Sequence, residues 1–124
     1  MSGQLRLSNI VLSGTTVVNI LAGRKQEFLG RPAVVTLYQR QDDVSGSIIE
    51  ATLTLGNVIV AEDLISNRNV AASAQFGTGP NMNEDMVAQG VGAPGDRIQI
   101  TLRETVGGAG DDGVMRSLIT ITDL

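Results

Sequence analysis

Residues 48–63 (IIEATLTLGNVIVAED) alternate apolar and polar side chains on both sides of a central Gly-Asn dipeptide. A period of two places every second side chain on one face of a β-strand, which is typical of a half-buried strand. A Gly-Asn connection suits a two-residue hairpin with a primed turn, because such turns need a positive φ. The segment therefore predicts an antiparallel hairpin that pairs Leu55 with Val58 and Leu53 with Val60 and places the apolar groups of both strands on one face.

Shorter runs of the same kind, separated by turn residues, recur along the rest of the chain. They predict strands at 4–12, 15–21, 33–40, 96–105 and 114–124. The last two, joined by a loop at 107–113, are predicted to form a second hairpin. Seven to nine short strands with turns at this spacing are typical of an all-β fold, here a single antiparallel, jelly-roll-like β-sandwich domain over residues 1–124.

The pattern lapses over about 66–96, a segment that is too long for an ordinary connection between strands. We expect a long loop there, which either folds back and covers one end of its own sandwich or forms a contact between subunits. Exposed Met and Phe side chains in a loop are unfavourable unless something covers them. The second interpretation places these residues at a subunit interface: Phe76, Pro80, Met82, Met86 and Val87.

The amino-acid composition disfavours most classes of enzyme. The 124 residues include no His, no Cys and no Trp, and only two Phe and one Tyr. The common zinc and copper ligands, the usual general base at neutral pH and the thiol nucleophile are therefore missing. Aliphatic residues must fill the core, and the β-branched ones among them favour strands. We predict a protein that is not an enzyme and binds no cofactor.

Gly90, Gly92 and Gly95 have the G-x-G-x-x-G spacing of a dinucleotide-binding loop. Such a loop follows a strand and opens a helix, whose amides hold the pyrophosphate. Here the run precedes alternating residues that are typical of a strand, and Pro94 has no amide proton to offer. The spacing therefore predicts a loop that leads into a strand.

Three pairs of adjacent acidic residues are the remaining candidates for chemistry: Asp42-Asp43, Glu84-Asp85 and Asp111-Asp112. Two carboxylates hydrolyse a glycoside from opposite sides of the bond, an arrangement that neighbours on one loop do not provide. A small hydrolase that uses an acidic pair stays a third alternative for the function. The GAGDDG sequence at 108–113 offers oxygen ligands for Ca²⁺ but lacks the D-x-D-x-D-G spacing of a dedicated loop, so calcium binding is left open.

Charge is unevenly distributed along the chain, whose formal net charge is −4. Residues 1–40 carry five basic groups and one acidic group, whereas residues 41–124 carry four basic and twelve acidic groups, which gives +4 and −8. Either the two parts interleave in one fold, or basic groups such as Arg24 and Lys25 meet acidic groups of another subunit. Nucleic acid is not an expected partner, because the chain has no dense basic run and few aromatic residues.

The chain also lacks the usual signals of membrane insertion and secretion. No stretch approaches the roughly 18–20 continuous apolar residues of a membrane-spanning helix. The first residues, MSGQLRLSN, lack the charged and then apolar regions of a signal peptide. We therefore expect a soluble chain that is made in a cytoplasm and is not inserted in a membrane.

Residues 48–124 contain ATLTLGNVIVAED, then LISNRN, a segment rich in Pro, Asn and acidic residues, and APGDRIQITLRET. This layout resembles that of small β-sandwich structural proteins of tailless or short-tailed bacterial viruses. The resemblance implies a jelly-roll-like capsid, minor capsid or decoration subunit, made in the host cytoplasm and located in the virion. It implies further copies of the chain and other virion proteins as partners, and assembly as the function.

A carbohydrate-binding or adhesive module is the alternative function, since such modules often use the same sandwich. Sugar sites usually contain aromatic platforms, and this chain offers only Phe28, Tyr38 and Phe76. A self-associating structural protein is therefore the preferred interpretation.

Overall fold

The computed structural model describes residues 3–12, 17–43, 48–70, 79–106 and 113–124. Within these ranges the chain forms nine β-strands and one short 3-10 helix, Lys25–Glu27. The strands are β1 (Gly3–Leu12), β2 (Val17–Asn19), β3 (Ala33–Asp43), β4 (Ile48–Leu55), β5 (Val58–Ile65), β6 (Asn67–Val70), β7 (Met86–Gly92), β8 (Ile98–Val106) and β9 (Gly113–Asp123). No helix in these ranges is both long and apolar enough to cross a membrane.

The strands form two sheets that pack face to face. In the first sheet, β3 has β9 on one side and both β6 and β7 on the other, and β1 pairs with β9. The second sheet has the order β2-β8-β4-β5. The described pairs are antiparallel except for β3 with β6. The orders β1-β9-β3-β7 and β2-β8-β4-β5 are those of a jelly roll, so the predicted all-β, jelly-roll-like sandwich is confirmed.

The core lies between the two sheets and is aliphatic. Strand β4 alternates strictly between buried and half-buried residues, as its sequence predicts. Among the fully buried side chains are Leu37, Ile49, Leu53, Ile100 and Ile119, which come from both sheets. Burial of one such side chain contributes about 1.5–3 kcal/mol, so the packing of the sheets is the main source of stability.

The turn between β4 and β5 has the predicted primed geometry. Gly56, the first central residue of the turn, has a φ of +60°. Asn57, the second, does not have a positive φ, because Asp63 is the only described non-glycine residue that does. A positive φ at the first central residue alone is the arrangement of a type II′ turn, in which glycine occupies that position. The hairpin and its primed turn are therefore confirmed as predicted from the local sequence.

The pairing of the hairpin strands agrees with the prediction only next to the turn. Leu55 pairs with Val58 as expected, but Leu53 pairs with Ala61 and not with Val60. Val60 is thus an extra residue on β5, which is the definition of a β-bulge. The predicted pairing of Leu53 with Val60 was wrong for this reason.

Two further predictions differ from the structure. The runs at 96–105 and 114–124 correspond to β8 and β9, but these strands lie in different sheets and do not form a hairpin. The segment at 66–96 is not one long loop, because it contains β6 and β7, which both pair with β3. Residues 71–78 and 107–112 of the two predicted loops lie outside the described residues.

Candidate interaction surface

Strands β5 and β7 lie side by side, each at the edge of its own sheet. They meet at Gly90, where a Cβ atom would stand 2.9 Å from both γ-carbons of Val60. Gly56, just before β5, and Gly92, at the end of β7, both lie near the Asp96 side chain. The two strands therefore run in opposite directions, and their edges together form one long side of the molecule.

Five large apolar side chains are exposed along these two strands. They are Val58, Ile59 and Ile65 of β5 and Met86 and Val91 of β7, and we call the two edge strands with these side chains the β5–β7 side. By their register, Met86 and Val91 lie on the outer face of the first sheet, and Ile59 and Ile65 lie on the outer face of the second sheet. The apolar side chains therefore flank the two open edges from both faces of the sandwich. Within the described ranges, β5 pairs only with β4 and β7 only with β3, so each strand leaves one edge of its backbone without a ladder partner. Exposed apolar side chains beside unpaired strand edges are typical of a surface that another chain covers.

The glycines with G-x-G-x-x-G spacing serve packing and turn geometry. Gly90 makes room for Val60, and Gly92 lies against the Leu29 side chain with no space for a Cβ. Gly95 has a φ of +85° in the turn between β7 and β8. The run leads into β8 as predicted, although its first two glycines belong to β7 itself.

Residues 79–85 cross the outer face of the first sheet. Gly79 lies beside Arg6 of β1, because a Cβ on Gly79 would stand 3.5 Å from Nη1 of Arg6. At the other end, the buried Asp85 carboxylate accepts a hydrogen bond from Arg40 Nη1 of β3 at 3.3 Å. Since β9 lies between β1 and β3, this segment passes over β9. This part of the predicted loop therefore covers its own sandwich.

The Asp85 side chain fixes the end of this segment. Its Oδ2 accepts a hydrogen bond from the Asn81 amide at 2.7 Å, and its Oδ1 accepts one from Asn67 Nδ2 at 2.8 Å. The Asp85 amide is bonded to Asn81 O at 2.9 Å, and Gln39 N of β3 donates to Asp85 O at 3.0 Å. The buried carboxylate therefore joins 79–85 to β6 and β3.

A second acidic residue of the same face also serves structure. Asp42 of β3 accepts hydrogen bonds from Arg116 Nη2 at 2.9 Å and from Asn69 Nδ2 at 2.9 Å. Asn69 in turn accepts a bond from Arg40 Nε. Asp42 and Asp85 are thus both ion-pair acceptors in one network, and neither faces an open substrate site. The side chain of Asp43 and the Asp111-Asp112 pair lie outside the described residues.

The residues predicted at a subunit interface differ in exposure. Met86 of β7 is 58% exposed and is the cross-strand partner of Tyr38, and Met82 is 45% exposed and lines a groove together with Tyr38. Val87 is half-buried and packs against the core, and Pro80 is buried by its own chain. Phe76 lies outside the described residues. Of this set, Met86 is therefore the residue that belongs to the candidate surface.

Some charged groups of residues 1–40 form ion pairs with groups of residues 41–124 within the same chain. Arg40, from the basic part, pairs with Asp85, and Glu27, the acidic group of that part, pairs with Arg97 at 2.6 Å. The Arg24-Lys25 dipeptide is exposed at the start of the short 3-10 helix, whose N-cap is Arg24. Its contact with acidic groups of another subunit stays a prediction.

An open groove of about 450 Å³ lies on the outer face of the first sheet. Its lining includes Gly3, Gln4, Tyr38, Met82, Thr120 and Thr122. In the part of the chain that the structure describes, no group of three or more acidic side chains is placed to hold a metal ion. Comparisons with protein-family models, with curated proteins and with solved structures gave no match.

Neither the β5–β7 side nor the groove was predicted from the sequence. For the β5–β7 side the sequence contains a signal, since residues 58–60 are all apolar. Side chains alternate between the two faces of a strand, so these three cannot all face the core of the protein. No local signal indicates the groove, because its residues come from β1, β3, β9 and the segment at 79–85.

Proposed function

We propose that this chain is a non-enzymatic structural protein that self-associates, as a capsid, minor capsid or decoration subunit of a virion. The β5–β7 side is the observation that carries the proposal. Val58 and Val91 are 63% and 65% exposed there, beside two unpaired strand edges. A monomer would leave this apolar surface in water and its strand edges open to aggregation, whereas a second subunit would cover both.

The second half of β5 limits how such a contact forms. Glu62 and Asp63 are exposed, and Asp63 has a φ of +54° at an irregular point of the β4–β5 ladder. Charges and bulges on an edge strand oppose open-ended addition of further strands. We therefore expect a closed assembly in which apolar side chains pack between subunits, and not an extended fibre.

The virion part of the proposal has its support in the strand order and in the resemblance of residues 48–124 to structural proteins of bacterial viruses. Jelly rolls are common in viral capsid proteins but also occur in lectins and enzymes, so the fold alone does not decide the function. The self-association and the particle therefore need separate measurements.

The carbohydrate-binding or adhesive alternative has less support as the main function. Phe28 is exposed next to β8 of the second sheet, whereas Tyr38 lies on the outer face of the first sheet. These two rings cannot form one platform for a long sugar chain. Phe76 lies outside the described residues.

Sedimentation velocity of the purified chain over a range of concentrations tests self-association, and negative-stain electron microscopy of the same samples tests particle formation. We expect one defined multimer, and closed particles or ordered arrays when the multimer is concentrated. A chain that stays monomeric up to millimolar concentration would overturn the proposal. A small multimer without particles would retain self-association and would count against a shell-forming role, with decoration then tested by binding to purified virions.

A further inference from the structure

The groove on the outer face of the first sheet has walls from two sources. Gly3 and Gln4 of β1 form one wall, and Met82 of the segment at 79–85 forms part of another. Thr120 and Thr122 of β9 lie between them as the floor. The groove is therefore an open site formed by β1, β3, β9 and one residue of the segment that crosses this face.

The polar groups of the groove make no hydrogen bonds within the described part of the chain. These groups are the Gln4 amide, the Tyr38 hydroxyl and the hydroxyls of Thr120 and Thr122. The neighbouring Thr36, by contrast, accepts a bond from Gln89 Nε2 at 2.9 Å. Four groups that can each donate or accept a hydrogen bond thus converge on one site and are free for a ligand.

The lining residues carry no formal charge, because they are Gly, Gln, Tyr, Met, Thr and Ile. An ionic ligand would find no counter-charge among them, so the groove favours a neutral ligand with many hydrogen-bonding groups. The half-buried ring of Tyr38 and the side chain of Met82 add an apolar surface beside these groups. Saccharides combine hydroxyl groups with apolar C–H faces, which pack on an aromatic ring.

We propose that this groove binds a neutral saccharide of short length. Tyr38 provides the ring on which one sugar packs, and Gln4, Thr120 and Thr122 bond its hydroxyls. The volume of about 450 Å³ lies within the range of small-ligand sites, about 300–1,000 Å³. The groove shares no residue with the β5–β7 side, so the proposal stands or falls independently of self-association.

The chain supplies its own spectroscopic probe for this proposal. It contains one Tyr and no Trp, so its intrinsic fluorescence reports on Tyr38 alone. The probes are glucose, galactose, mannose and N-acetylglucosamine, together with their trisaccharides, and glucose 6-phosphate as a charged counterpart of glucose. We expect a saturable change in Tyr38 emission with at least one neutral sugar, and an affinity at least about tenfold weaker for glucose 6-phosphate than for that sugar.

A matched pair of variants separates the groove from the rest of the surface. Thr122→Arg adds a long charged side chain to the groove, and Thr105→Arg makes the same change at an exposed position on the other sheet. Calorimetry is expected to show binding weakened about tenfold or more in Thr122→Arg and unchanged in Thr105→Arg. The proposal is overturned if no neutral sugar in the panel gives a saturable response, or if both variants bind as the wild type does.

Discussion

Gly90 of β7 packs against Val60 of β5 so closely that a Cβ on Gly90 would stand 2.9 Å from both Val60 γ-carbons. These two residues belong to different sheets and close the sandwich along the β5–β7 side. A residue with any side chain at position 90 would push the two edge strands apart. The contact explains why a glycine stands in the middle of a strand, where it otherwise weakens the sheet.

Gly90→Ala is expected to lower the free energy of unfolding by about 1–3 kcal/mol, because the added methyl overpacks the contact with Val60. Urea denaturation measures the change. Gly30→Ala is the control, since a Cβ there meets nothing within 4 Å. Combining Gly90→Ala with Val60→Ala should cost less than the sum of the two single changes, because the second change removes the clash. Strictly additive costs would show that the two strands do not meet as described.

Two glycines with positive φ separate backbone strain from steric clash. Gly56 has a φ of +60°, and a Cβ there would stand 2.7 Å from Asp96 Oδ1, whereas Gly95 has a φ of +85° and open space around it. Gly95→Ala is expected to cost about 1–2 kcal/mol from the left-handed backbone alone. Gly56→Ala should cost more, and Gly56→Val more still. Unchanged melting temperatures for the Gly56 variants would contradict the hairpin turn.

The β4–β5 hairpin could be predicted because its information is local. The alternation on both sides of Gly56 determines the strands, and the glycine determines the turn. The bulge at Val60 could not be predicted, because the local alternation continues through this residue, and its contact is with Gly90 of the other sheet. Strands β8 and β9 belong to different sheets. This assignment also depends on the whole fold and cannot be predicted from the residues that connect the two strands.

Strands β6 and β7 escaped prediction for two different physical reasons. In β7 the inward positions hold Ala88, Gly90 and Gly92, whose small size suits the nearby Val60 and Leu29 side chains but weakens the hydrophobic pattern. In β6 the sequence NRNV is mostly polar, because this strand is held by the network around Arg40 and Asp42. Polar strands of this kind carry no apolar periodicity.

Asp85→Asn is expected to lower the free energy of unfolding by about 3 kcal/mol, because it removes the buried partner of Arg40. In either orientation the NH2 group of the new side chain would also face a donor, because Asp85 Oδ2 now accepts from the Asn81 backbone amide and Oδ1 from Asn67 Nδ2. Glu84→Gln is the control, since Glu84 is exposed, and its effect should stay within about 0.5 kcal/mol. Urea denaturation compares the two variants, and equal stabilities would rule out the role assigned to Asp85.

The pH dependence of stability should include a contribution from Glu27. Hydrogen bonds from the Gly23 amide and then from the Arg97 side chain hold the pKa of Glu27 below its usual value of 4.5. A lowered folded-state pKa stabilises the protein above the usual value, and this contribution is lost as the pH falls through the lowered pKa. The stability difference between wild type and Glu27→Gln should therefore be largest near neutral pH and shrink below pH 4.5.

Glu62→Gln provides the matched control for that experiment. Glu62 is exposed and forms no ion pair with a described residue. Its substitution should leave the dependence of stability on pH close to that of the wild type. If Glu27→Gln and Glu62→Gln give the same curve, the ion pair of Glu27 with Arg97 does not contribute to acid stability.

Sedimentation velocity of two lysine variants tests the central claim, self-association through the β5–β7 side, most directly. Ile59→Lys places a charge at a position that is 58% exposed on that side, and Gln4→Lys places the same charge at an exposed position of β1, at the opposite edge of the first sheet from β7. With folding verified by circular dichroism, we expect a multimer for the wild type and for Gln4→Lys, and a folded monomer for Ile59→Lys. A monomeric wild type, or a multimer that Ile59→Lys leaves unchanged, would contradict the claim.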